Sequence, residues 1–96
     1  MTTPQIEIDQ LNAASHDENI EFMPIRRAVA FSAVCCIVKY QDPDLLNKVP
    51  LWIGDMVREM CETYRQFGSY RVISNLGEAD HSEMMGQLMR LLEPGA

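Results

Sequence analysis

Three cysteines, two histidines and a set of carboxylates are the residues of this 96-residue chain whose types could do chemistry. Cys35, Cys36, Cys61 and His81 offer the thiolate and imidazole ligands that zinc takes in a tetrahedral site. Their spacing argues the other way. Cys35 and Cys36 are adjacent, so on a helix they diverge by about 100°, and no C-x-x-C accompanies them. All three thiols fall in apolar stretches, where free cysteine behaves as a small hydrophobe.

Asp80-His81-Ser82 holds the residue types of a hydrolytic triad, but those roles need spatial convergence rather than adjacency in the chain. A capping box, Asp80-x-x-Glu83, explains Asp80 better. His16 has no nucleophile pattern near it, and Asp55, Glu59 and Glu62 share a helix face with nothing beside them to raise a carboxyl pKa. No G-x-S-x-G, H-E-x-x-H, Walker loop or G-x-G-x-x-G occurs. The expectation is a protein that is not an enzyme and takes no metal or cofactor.

Charge narrows the partners. The formal net charge is −6, yet residues 1–21 carry five acids and no Lys or Arg, leaving nine acids against eight bases in the rest. A nucleic-acid surface needs clustered positive charge, and the only adjacent basic pair is Arg26-Arg27, so no nucleic-acid partner is expected. An odd number of cysteines without framework spacing points to a reducing, cytoplasmic setting. The N-terminus lacks the basic and apolar regions of a secretory signal, and the uncharged run Ala28–Val38 is too short to span a bilayer. No membrane association is expected.

The elements that would position these residues centre on Asp42–Gly68. Asp42 before Pro43 and Asp44 reads as a helix start. Pro50 would break a continuous helix, which predicts a short helical turn over 43–48 and a main helix from Val49 or Pro50. On that helix Val49, Trp52, Ile53, Met56, Val57, Met60, Cys61, Tyr64 and Phe67 form a broad apolar arc, and Gly68 closes it.

Met23–Tyr40 is predicted as a second helix, apolar nearly all round, with Ile25, Val29, Cys36 and Tyr40 on one side and Phe31, Val34 and Val38 on the other. A buried strand over Val34–Tyr40 is the competing reading. Such a helix must be covered everywhere. In a chain of about three helices, the face of Phe31, Val34 and Val38 is expected to meet a second subunit across a two-fold axis.

Residues 1–20 read as a flexible acidic arm, although QIEID alternates like a strand. SYRVISNLG fits a short helix through Tyr70, Ile73 and Leu76, with a strand as the alternative. A last helix follows Asp80, with Met84, Leu88, Leu91 and Leu92 inward and Met85 and Met89 off-centre.

The expected fold is all-α: a single domain of three to four helices over 21–96, preceded by the arm and forming a homodimer. The expected function is regulation of another protein, by inhibition or sequestration, through apolar helix surface at Leu51, Trp52, Met56, Met85 and Met89. Methionine-rich surfaces re-pack around partners. Bacterial antiactivators, antitoxins, immunity proteins and phage-encoded inhibitors share that profile only as a class. The alternative is a small-molecule or metal sensor with a pocket near Trp52, Tyr64, Cys36 and Cys61.

Overall fold

The computed structural model describes residues 4–14, 23–74 and 77–93. They are mostly helical, and the all-α expectation holds with one addition, a two-stranded hairpin. None of the described helices is long and apolar enough to cross a membrane.

The Asp42–Gly68 stretch folds as its punctuation predicts. The Asp42 carboxylate accepts a hydrogen bond from the Asp44 amide at 3.1 Å, opening a 3-10 turn over Pro43–Asn47 that buries Leu45 and Leu46. Pro50 then stands just ahead of helix α3 (Leu51–Phe67), where its missing N–H is no loss. Gly68 ends the helix in the left-handed region, φ 70°, and its N–H returns to the Tyr64 carbonyl at 2.7 Å. Ile53, Val57, Met60 and Cys61 are buried along the predicted stripe. Phe67 is the exception: expected on the arc, it is 69% exposed in the last turn.

Helix α2 (Met23–Tyr40) settles the helix-or-strand question for Val34–Tyr40 in favour of helix. It is central, packing against α3, the 3-10 turn and two further helices. One of these is α1 (Pro4–Ala14), in the segment expected to be an arm. Ile8 and Leu11, three residues apart, lie on one face of α1 and are buried, while Ile6 stays 44% exposed. These two well-placed apolar residues give α1 its buried face against α2. The rest of the expected arm, residues 1–3 and 15–20, lies outside the described residues.

The helix expected over SYRVISNLG is instead half of a hairpin. Strand β1 (Arg71–Ser74) pairs antiparallel with β2 (Gly77–Asp80), with Arg71 opposite Asp80 and Ser74 opposite Gly77. Only residues 69–76 separate Gly68 from Gly77, too few for a helix with little to pack against. The β-branched pair Val72-Ile73 favours the strand. Gly77 at φ 115° supplies a backbone conformation that L side chains rarely adopt.

Helix α4 (Ser82–Leu92) starts later than the predicted capping box implies. His81 occupies the N-cap position without a side-chain bond, and Asp80 instead accepts from the Ser82 amide at 2.8 Å. Its buried face is also turned from the expected one, since Met85, Gly86 and Leu88 are buried and Met84 is half-buried. Gly86 explains the tight seat: a Cβ there would lie 3.0 Å from the Tyr64 hydroxyl of α3. With Cys36, Ala33 and Ile37 of α2, these residues form one core.

Ile53→Ala, at a fully buried position, is expected to destabilise the protein by about 2–5 kcal/mol, because the side chain leaves a cavity. Phe67→Ala should stay within about 0.5 kcal/mol, the range of exposed sites. Urea unfolding of the two variants checks the pair.

Candidate functional site

Of the large apolar residues exposed among those described, Met23, Ile25 and Leu51 lie at the starts of α2 and α3, and Ile6 and Phe67 lie elsewhere. Leu51, the first residue of α3, is 78% exposed, and Met23, the first of α2, is 46% exposed. Between these two helix starts runs a groove of about 350 Å³, lined by Met23, Arg26 and Arg27 from α2 and by Trp52, Asp55, Met56 and Glu59 from α3. The Arg26 guanidinium lies over the Trp52 ring, 4.9 Å from its centroid. Arg26 Nε is buried and has no hydrogen-bond partner among the described residues.

Two residues chosen from sequence meet at this groove, Trp52 and Met56, while Leu51, exposed at the start of α3, does not line it. The two methionines of α4 do not join them. Met85 is fully buried, which corrects its placement on an exposed face, and Met89 is half-buried against the core. The turn of α4 about its axis brings Met85 inward in place of Met84.

The face of α2 expected to meet a second subunit is covered in part within the chain. Val34 is fully buried. Phe31 stacks on His81 just ahead of α4, centroids 3.9 Å apart, and Val38 lines a cleft with Gln87 and Leu91 of α4. Val34 thus belongs to the chain's own core, while Phe31 and Val38 stay half-buried. With α1 covering another side of α2, four helices supply the burial that three could not.

A second cleft, about 380 Å³, lies between α1 and α2 and is lined by Glu7, Gln10, Leu11, Phe31, Ser32, Cys35, Cys36 and Lys39. Glu7 accepts from the Lys39 ammonium at 3.0 Å. A hydrogen bond from the Cys36 thiol, and then Lys39, hold the Glu7 carboxyl below its ordinary range. Burial, and then Glu7, push the Cys36 thiol up to about 12. Burial likewise raises the thiols of Cys35 and Cys61. These are poor nucleophiles, since the thiolate is the reactive form.

The pocket imagined around Trp52, Tyr64, Cys36 and Cys61 is not assembled. Trp52 lines the α2–α3 groove and Cys36 the α1–α2 cleft, whereas Tyr64 meets Gly86. No group of three His, Cys, Asp or Glu side chains among the described residues could hold a metal ion.

Asp80, His81 and Ser82 act as joinery. The Tyr70 amide donates to Ser82 Oγ at 2.9 Å, the His81 amide to the Tyr70 carbonyl at 2.9 Å, and Ser82 holds the Asp80 carboxyl below its ordinary range. Asp55 and Glu62 pair with Arg58 and Arg65 on an exposed surface.

Sequence reasoning passed over Arg26. Its signal was present: two arginines in the early part of a helix oppose the positive pole of the helix dipole, a local violation that asks for a reason. Glu7 had no such signal, being 29 residues from Cys36. Comparison of the chain with known protein families, curated proteins and solved structures finds no match.

Two outcomes follow from the α1–α2 cleft. Because the folded Glu7 pKa is depressed, its contribution is present above the ordinary value of 4.5 and is lost as pH falls through the folded value. Hydrogen-exchange protection of α1 should therefore drop below about pH 4.5 relative to α3, and Glu7→Gln should remove that acid step. In iodoacetamide labelling at about pH 8, the half-buried Cys35 should react ahead of the buried Cys36 and Cys61. Peptide mass spectrometry reads the order.

Proposed function

We propose that this chain is a small non-enzymatic regulatory protein that binds another protein, and restrains it, through the surface formed by the first turns of α2 and α3. The observation that carries the reading is Leu51, a leucine 78% exposed, whereas Leu45 and Leu46 of the 3-10 turn just before it are buried. Packing within the chain gives no reason for a leucine there.

The composition of the surface supports the reading. Trp and Arg dominate the energetics of protein interfaces, and Met is enriched in them and adapts its shape. Trp52, Arg26, Met23 and Met56 occur together at the groove. Burying Leu51 alone removes enough apolar area to contribute about 1.5–3 kcal/mol, roughly one to two decades of affinity. A cytoplasmic setting belongs to the same proposal.

Affinity capture from the source cell, followed by binding measurements with the purified captured protein, tests it. Leu51→Glu should weaken that complex by about tenfold or more while leaving the unfolding midpoint of the free protein unchanged. A captured partner whose affinity ignores Leu51 and Trp52 alike would falsify the assignment of this surface.

A further inference from the structure

We infer that α1 is a strap over Cys36: it lifts from α2 as a unit, and the chemical state of that thiol decides whether it closes again. The inference is independent of the protein-binding surface at the starts of α2 and α3. The seam follows one face of each helix. Glu7, Gln10 and Leu11 stand at i, i+3 and i+4 of α1, against Ser32, Cys35, Cys36 and Lys39 at i, i+3, i+4 and i+7 of α2. Ile8 and Leu11 are the buried anchors of α1, whereas α3 buries Ile53, Val57, Met60 and Cys61. The seam also holds a charge that is only half answered. Glu7 Oε1 accepts from Lys39, but Oε2 is buried with no partner, a cost that exists only while α1 is down. The face that opening would uncover already shows Ser32 and Lys39 to water. Local opening therefore costs less at this seam than anywhere along α3.

Under the strap lies a thiol that the strap itself keeps unreactive. Cys36 is 5% exposed, and the carboxylate facing it belongs to α1. Burial and then Glu7 push this thiol up, and lifting α1 removes Glu7 and part of the burial. The reactive thiolate then forms far more readily. A small disulfide such as oxidised glutathione completes the switch. Cys36 gives up its proton, its thiolate attacks one sulfur of the reagent, and a mixed disulfide forms as the reagent's S–S bond breaks. The departing thiolate takes up the proton. The adduct sets a carboxylate-bearing peptide where Glu7 has to sit when α1 is down. Docking and modification thus oppose each other, and by linkage each weakens the other by the same factor. Cys61 is an internal control. It is equally buried, and the charged groups around it, Arg58, Glu62, Arg65 and Glu93, include none from α1.

Site-resolved labelling of the full chain tests this, in a Cys35→Ser background that leaves one thiol in the α2 peptide. Iodoacetamide at about pH 8 should modify Cys36 faster than Cys61. Leu11→Ala, which removes one anchor of the strap, should speed Cys36 by about tenfold or more and leave Cys61 unchanged. A Cys36 no faster than Cys61, or a rise at both in Leu11→Ala, means that the whole molecule opens and overturns the inference. Should Leu11→Ala fail to fold, Leu11→Val takes its place: a smaller rise confined to Cys36 is expected, and no rise counts against the strap. Oxidised glutathione supplies the second arm. Before treatment, hydrogen exchange should find α1 protected. Once Cys36 carries the adduct, α1 should lose that protection while α3 keeps its own, and dithiothreitol should restore it. Protection of α1 that survives the adduct, or is absent before it, overturns the switch. So does a Cys36 that iodoacetamide reaches and oxidised glutathione leaves unmodified.

Discussion

Everything in this fold answers to one constraint, a helix whose water-facing stripe is narrow: beyond Arg27 only Ala28, Ser32 and Lys39 of α2 are exposed. Between Ala28 and Tyr40, α2 carries a single charged residue, Lys39. Such a cylinder is stable only if neighbours cover it around most of its circumference. Helices α1, α3 and α4 do so, each contributing buried side chains: Ile8 and Leu11, Ile53 and Val57, Met85 and Leu88. The segment before α2 is thereby drawn into the domain despite its polar, acidic composition. Its two core residues find a surface that has to be covered.

What was legible in the sequence follows from how local each signal is. Asp42, Pro43, Pro50 and Gly68 act on their own backbone, so the 3-10 turn and both ends of α3 could be read directly. The stripe of α3 has a strong period and was placed correctly except at Phe67. Helix α1 was hidden because Ile8 and Leu11 are too few to make a pattern before their partner surface is known. The hairpin was hidden because eight residues between glycines give period analysis too little to work on, and Val72-Ile73 was outweighed by the spacing of Tyr70, Ile73 and Leu76. Of the candidate site, the α3 half was visible. The α2 half was not, since Met23 and Arg26 reach Trp52 only once two helices have crossed.

The core and the periphery divide the work. Among the described residues no polar or charged residue is buried, so apolar area holds the helices together. The polar ties sit at the seams: Glu7 with Lys39 between α1 and α2, Arg65 with Glu93 between α3 and the end of α4, Ser82 with Tyr70 at the base of the hairpin. Exposed ion pairs of this kind contribute little, typically about 0–1 kcal/mol. Their value lies in fixing how the helices are set against each other. The core itself is Leu, Ile, Val, Ala, Cys and Met, apolar side chains that tolerate re-packing at constant volume.

The hairpin is joined to the rest differently. All four residues of β2 are exposed, and its base is tied through Tyr70, His81 and Ser82. A strand exposed along its whole length can accept an addition at its end without disturbing what lies beneath it. The Gly77 end of β2 is thus the natural place to graft a foreign peptide, such as an epitope or a dye-accepting tag. It would sit on the molecule as a handle, leaving α2 and its three covering helices intact.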